Sequence, residues 1–268
     1  MTARPLTLIT GASGGIGAEL ARVFAAHGHD VALAARSADK LEALADEIAE
    51  AAPARRRPLV VALDLMAPGA ATQLAATLES AGAQVEMLVN NAGFGLAGQA
   101  DQLDRAEQLS MIDLNIRALV DLTLTFSPQI EARHGAILNV ASTAAFQPGP
   151  GMAVYYATKA FVLSFSEALS QELGGRGVSV TALCPGPTQT DFQKRAGFDS
   201  SMLLTRAAAM SARDVAEAGY AGLVRGKRLV VPGVMNKLTA FLAPFTPHAL
   251  LLPLVAALQK KRARGETR

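Results

Sequence analysis

Residues 6–17 read L-T-L-I-T-G-A-S-G-G-I-G. Leu6–Thr10 has the make-up of a short buried strand, and glycines at 11, 14, 15 and 17 lead into a helix expected over Gly15–His27. Glycines let the backbone come close to a pyrophosphate, and a helix N-terminus turns unpaired N–H groups toward it. Strand, glycine loop and helix at the start of the chain therefore predict the first βα unit of a dinucleotide-binding sheet. The following residues repeat the alternation. Strands are expected at Asp30–Ala35, Pro58–Leu63, Glu86–Asn90, Ala136–Val140, Val178–Leu183 and Leu229–Val231. Helices are expected at Ala38–Ala51, Ala70–Ser80, Asp104–Phe126, Ala153–Leu173 and Ala212–Val224. That order predicts one α/β domain with a mostly parallel, doubly wound sheet and helices on both faces.

Composition agrees. The chain has 268 residues, half of them apolar, enough for a sizeable single core. A formal charge of +2 gives no reason to expect nucleic acid, and Arg55-Arg56-Arg57 reads as a solvated turn. The single cysteine, Cys184, cannot form an internal disulfide, which suits a reducing, cytoplasmic setting. The N-terminus lacks a secretory pattern, and no apolar run reaches the roughly 18 to 20 residues of a membrane span. The histidines are scattered, so no metal site is expected.

The second strand ends on Arg36, about where an NAD site carries an acid for the ribose 2′-hydroxyl. A guanidinium there suits a 2′-phosphate, so NADP(H) is the preferred cofactor, with NAD(H) kept open. The other polar or glycine-rich features also follow strands: Asp64-Leu65, Asn90-Asn91-Ala92-Gly93, Ser142 and Cys184-Pro185-Gly186-Pro187. They would share the carboxyl edge of the sheet, where open α/β sheets bind ligands.

Ser142 stands thirteen residues before Tyr155, and Tyr155 four before Lys159. On a helix that last spacing puts phenol and ammonium on one face. The ammonium is expected to lower the tyrosine pKa, making it a proton donor or acceptor for an alcohol or carbonyl oxygen. Tyr156 is three residues from Lys159, but both spacings select Tyr155.

In this order, Thr10 to Gly17, Asn90-Asn91-Ala92-Gly93, Asn115, Ser142, Tyr155-x-x-x-Lys159 and Pro185-Gly186 resemble the short-chain dehydrogenase/reductase family over roughly residues 6 to 192. The resemblance implies a seven-stranded Rossmann-type sheet, a nicotinamide cofactor and a catalytic tetrad of Asn115, Ser142, Tyr155 and Lys159. Ser142 would orient the substrate oxygen and Tyr155 would be the general acid or base. Lys159 would also bind ribose, and Asn115 would hold a relay water. The cofactor would lie against Gly11, Ser13, Gly14, Gly15, Ile16, Gly17, Arg36, Asp64, Leu65, Asn91, Ala92, Gly93, Tyr155, Lys159, Pro185, Gly186 and Thr190, with Thr188 the alternative to Thr190. The segment A-T-K-A-F-V-L-S-F-S-E-A-L resembles the ketoacyl and ketosteroid reductase branch. The family also implies a small carbonyl or alcohol substrate and homo-oligomers, often built through the fourth and fifth helices.

Gln193 to Met210 is the candidate lid, and its apolar residues suit an apolar substrate. Residues 1–235 form the expected domain, and 236–268 a C-terminal helical extension packed on it. Pro244, Pro247 and Pro253 oppose one long helix there. Its pieces could cover the pocket, join subunits or, through the basic end, touch a membrane surface. Two other readings compete. Gly11-Ala12-Ser13-Gly14-Gly15 fits a hydrolase elbow, but only ten residues precede it and no acid–histidine pair follows. A cofactor-binding scaffold without turnover would not require serine, tyrosine and lysine together.

Overall fold

Along β1 (Arg4–Thr10) the side chains part company: Leu6 and Leu8 enter one core, Ile9 the other. β2 (Val31–Ala35) does the same, Ala32 and Ala34 to one face, Val31, Leu33 and Ala35 to its opposite. This period-two division, apolar on both sides, is what a parallel sheet covered on both faces requires. The structure is a computed structural model. It describes residues 3–190, 192, 196 and 209–263, without the side chains of 258 and 260–263.

The remaining elements are α1 (Gly15–Ala26), α2 (Ala38–Ala51), β3 (Leu59–Ala62), α3 (Ala70–Ser80), β4 (Ala83–Asn90), α4 (Arg105–Ile112), α5 (Leu119–Ala132), β5 (Ala136–Val140), α6 (Ala153–Gly174), β6 (Ser179–Leu183), β7 (Thr188–Gln189), β8 (Met210–Ser211), α7 (Ala212–Val224), β9 (Leu229–Val230), α8 (Val234–Leu242) and α9 (His248–Ala263). Seven strands form one parallel sheet in the order β3-β2-β1-β4-β5-β6-β9. Leu74, Leu122, Phe126 and Leu169, from α3, α5 and α6, cover one face. Leu20, Phe24, Leu41 and Val215, from α1, α2 and α7, cover the other. The order reverses between β1 and β4, so the crevice at the carboxyl ends of those two strands is the ligand position this topology creates.

A buried polar chain clamps the middle of the sheet. Asn90 donates to Thr123 Oγ1 at 3.0 Å and to Asn139 Oδ1 at 2.9 Å, and Asn139 donates to Ser166 Oγ at 2.9 Å. These bonds fix β4 and β5 against α5 and α6, the elements that present the candidate site.

Three departures from expectation matter. The helix expected over Asp104–Phe126 is instead α4, a π-helical stretch at Asp113–Ala118, and α5, which continues past Pro128. Asn115 sits within the π stretch, a form concentrated at functional sites. The tail is two helices joined by a 3₁₀ turn at Ala243–Phe245, broken at Pro244 and Pro247, whereas Pro253 lies inside α9. The small β7–β8 pair was not foreseen. It joins Thr188 to Met210 and Gln189 to Ser211, bringing both ends of the intervening segment to one place. The expected lid, Gln193 to Met210, lies outside the described residues apart from Ala196, Ala209 and Met210.

Candidate active site

The glycine loop turns where side chains cannot follow. Gly11 and Gly15 have φ of 65° and 56°, in the left-handed region that suits glycine. A Cβ on Gly11 would come within 2.8 Å of the Ala92 backbone, and one on Gly17 within 2.3 Å of the Gly11 carbonyl. Asn91 locks this contact, its amide donating to the carbonyls of Thr10 at 2.9 Å and Gly11 at 3.2 Å. Thr10 Oγ1 in turn accepts from the N–H groups of Asn91 and Ala92. A Cβ at Gly14, by contrast, would meet nothing within 4 Å. The first turn of α1 has neither a side-chain cap nor an acidic residue. The loop therefore leaves backbone N–H groups facing open space, a cradle that fits a pyrophosphate.

That space belongs to a cavity of about 340 Å³. Its walls include Gly11, Ser13, Gly14, Gly15 and Ile16, then Arg36, Asp64 and Leu65, then Asn91, Ala92 and Gly93. Ser142, Tyr155, Lys159, Pro185, Gly186, Thr188 and Thr190 complete the expected set. Gly17 is not on the wall; it packs the loop on Asn91. Asn115 lies behind the wall. Thr188 and Thr190 both reach the cavity, Thr190 seated against Gly15.

The chain entering α6 sets Tyr155 in place. Gly149 lies where a Cβ would fall 2.2 Å from the Tyr156 ring, so the turn can close on that ring. Tyr155 is 9% exposed, and the Phe192 ring lies tilted against it at 5.3 Å between centroids. Ser142 follows β5 and caps the 3₁₀ turn Thr143–Phe146, accepting from Ala144 N at 3.1 Å. Its hydroxyl donates to Pro185 O at 3.5 Å and lies close enough to Tyr155 to favour the phenolate. Lys159 Nζ donates to Val140 O at 2.8 Å and stands 5.9 Å from the Tyr155 ring centre.

The electrostatics differ from the sequence reading, in which Lys159 lowers the tyrosine pKa. Burial pushes Tyr155 up to about 12, outweighing the nearby Ser142 hydroxyl, which pulls it down. Burial likewise pushes Lys159 down to about 8. Desolvation thus acts on both groups against their charged forms.

Asn115 is 1% exposed. Its amide donates to Phe94 O at 2.9 Å and Thr158 Oγ1 at 3.0 Å, and its Oδ1 accepts from Phe94 N at 3.1 Å. It thereby ties the segment after β4 to α6. A Cβ on Gly93 would fall 2.8 Å from Asn115 Oδ1 and 3.6 Å from Lys159 Nζ, so both groups border one small gap.

Sequence reasoning missed Ser37 and Lys40 beside Arg36, and Phe94, Met152, Tyr156 and Gln259 around Tyr155. Lys40 was findable: it stands four residues after Arg36, in the first turn of α2. Nothing in the tail marked Gln259.

The fold and the joined cradle and hydroxyl cluster define a dinucleotide-dependent oxidoreductase of the α/β class. The family model for short chain dehydrogenase matches residues 5–200, and the chain belongs to that family of dehydrogenases and reductases. A sulfoacetaldehyde reductase of Chromohalobacter salexigens is 40% identical over 216 residues, 78% of this chain and 84% of that protein. A short-chain dehydrogenase from Sphingobium yanoikuyae, solved in complex with NADPH, is 32% identical, with a TM-score of 0.78 over 98% of each chain. The bulky-bulky ketone specific alcohol dehydrogenase from Comamonas testosteroni is 28% identical, with a TM-score of 0.73 over 100% of this chain and 96% of that one. Among the described residues no helix is long and apolar enough to cross a membrane, and no cluster of ligating side chains could hold a metal ion.

Proposed function

We propose that this protein is an NADP(H)-dependent reductase that converts an apolar ketone, of 3-ketoacyl or steroid-like kind, to a secondary alcohol. The observation that carries the reading is the continuity of one cavity from Arg36 and Lys40, past the glycine cradle, to Ser142, Tyr155 and Lys159. Arg36, Ser37 and Lys40 would hold a 2′-phosphate, the glycine loop the pyrophosphate, and Asp64 and Leu65 the adenosine side. Pro185, Gly186 and Thr188 or Thr190 would position the nicotinamide end, and Lys159 its ribose.

The bound cofactor supplies the hydride. The protein's part is a proton and a position. Tyr155, protonated at neutral pH, donates its proton to the carbonyl oxygen, and Ser142 orients that oxygen. Lys159, charged below about 8, stabilises the phenolate that remains. The second lone pair of Asn115 Oδ1, beside the gap near Lys159, holds the relay water.

The test is NADPH oxidation over ketosteroids, 3-ketoacyl thioesters, sugars and small ketones, repeated with NADH. Turnover with NADPH on apolar ketones is expected; preference for NADH would overturn the role given to Arg36. Arg36→Ala combined with Lys40→Ala should raise KM for NADPH about 100-fold while leaving KM for NADH nearly unchanged, because two charge-assisted bonds to phosphate are lost.

The reading extends to assembly and place. We take the enzyme to be a cytoplasmic homo-oligomer, joined through α4, α5 and α6, where Leu109, Ile112, Leu124 and Phe161 stand exposed. Light scattering on the eluting protein should show an oligomer that Leu124→Glu with Phe161→Glu splits; a wild-type monomer would contradict this. Residues 1–235 carry the chemistry and 236–268 pack on them. The tail also exposes Phe241 and Phe245, and sedimentation with anionic vesicles would reveal any membrane contact.

A further inference from the structure

Among the described side chains of α9 the buried ones are Leu251, Val255 and Gln259, spaced four apart, while Leu250 and Leu254 are exposed. Helical periodicity asks for a third apolar residue at the last of these positions, and the chain has a glutamine. Gln259 is 5% exposed. Its Nε2 donates to the Tyr156 hydroxyl at 2.7 Å, and a Cβ at Gly151 would lie 3.4 Å from its own Cβ, so α9 rests on the turn that enters α6. Its Oε1 is buried without a hydrogen-bond partner among the described residues, and Gln259 lines the cavity that holds Tyr155, Met152 and Phe192. A buried carbonyl oxygen left unpaired is destabilising, whereas leucine or methionine would continue the stripe with no such penalty. Asn90 Oδ1 is also unpaired, but it lies inside the sheet's polar clamp and not on the cavity wall.

We propose that Gln259 Oε1 accepts a hydrogen bond from an un-ionised donor, a hydroxyl or an amide N–H, on the part of the substrate remote from its carbonyl. The tail helix then sets specificity: the preferred substrate is an apolar ketone carrying one such group, and Tyr156 holds the amide in the orientation that receives it. A site built to pair a substrate hydroxyl discriminates against the analogue lacking it, because its own polar group is then left buried and unmatched. This proposal rests on the ketone-reductase reading above.

The test uses methyl ketones of increasing chain length, each ending in a dimethylcarbinol, its methyl ether or the hydroxyl-free tert-butyl group. Both kcat/KM with NADPH and calorimetric affinity for the NADP⁺-loaded full-length enzyme are measured. The tertiary hydroxyl cannot be oxidised, so the binding ratio stands even without turnover. At the best chain length the carbinol should exceed the tert-butyl compound about tenfold in both readouts, and the ether should behave like the tert-butyl compound. Gln259→Met should bring the carbinol ratio to about one. Should that variant not fold, Gln259→Glu serves: it should favour an amine-terminated ketone over the carbinol. No carbinol preference at any length, an equal preference for the ether, or a preference that survives in Gln259→Met would overturn the proposal. Carbinol-selective binding without reduction of any ketone would instead overturn the reductase reading and leave the role of Gln259 standing.

Discussion

Tyr155→Phe is expected to lower kcat for ketone reduction by about a thousandfold while NADPH affinity stays within about twofold. The substitution removes one oxygen and leaves the ring, so the contact with Phe192 and the packing of α6 persist. The lost group is the acid of the proposed mechanism, with the Ser142 hydroxyl beside it. Ser142 alone could still polarise the carbonyl but could not deliver a proton through the same geometry. Stopped-flow reduction alongside NADPH titration separates the two effects. A variant that kept kcat would remove Tyr155 from the chemistry. One that lost NADPH binding would make its role structural.

Lys159→Met is expected to abolish measurable turnover and to change the pH dependence of stability. Lys159 is buried, and its pKa falls from 10.5 unfolded to about 8 folded. Below about 8 both states hold the proton, and the folded protein bears the full penalty of a buried ammonium. Between the two values the unfolded chain binds more protons than the folded one, so this group's contribution to stability rises with pH. The wild type should therefore gain about 3 kcal/mol relative to Lys159→Met as pH rises through that window, an order-of-magnitude figure from the shift. Urea unfolding of both proteins near neutrality and at the upper end of the window measures it. A constant difference would mean that Lys159 is not buried as a cation. The same lysine thus makes the fold less stable at neutral pH and, in the proposed mechanism, supplies the positive charge that the developing phenolate needs.

Most of the sheet was readable because parallel strands buried on both faces are continuous apolar runs closed by glycine or polar residues. The expected bounds of β5, α2, α3 and α7 coincide with those observed. The glycine loop, Asn91 and the Ser142, Tyr155 and Lys159 group were legible from spacing, since turns and helix faces are local. What depended on distant partners was not. The π stretch around Asn115 goes with bonds to Phe94 and Thr158, 21 and 43 residues away along the chain. Gln259 meets Tyr156 across 103 residues. The shifts of Tyr155 and Lys159 are set by burial, which no i,i+4 argument contains. The sequence reading had the sign of the tyrosine shift reversed for this reason: proximity of the ammonium was visible, desolvation was not.

The most direct test of the central claim is a crystal structure of the full chain with NADP⁺ bound. The account predicts the nicotinamide end of the cofactor beside Tyr155, Ser142 and Lys159, the pyrophosphate on the glycine loop, and the 2′-phosphate against Arg36 and Lys40. A cofactor bound outside this cavity, or lying in it with its ends exchanged, would contradict the account.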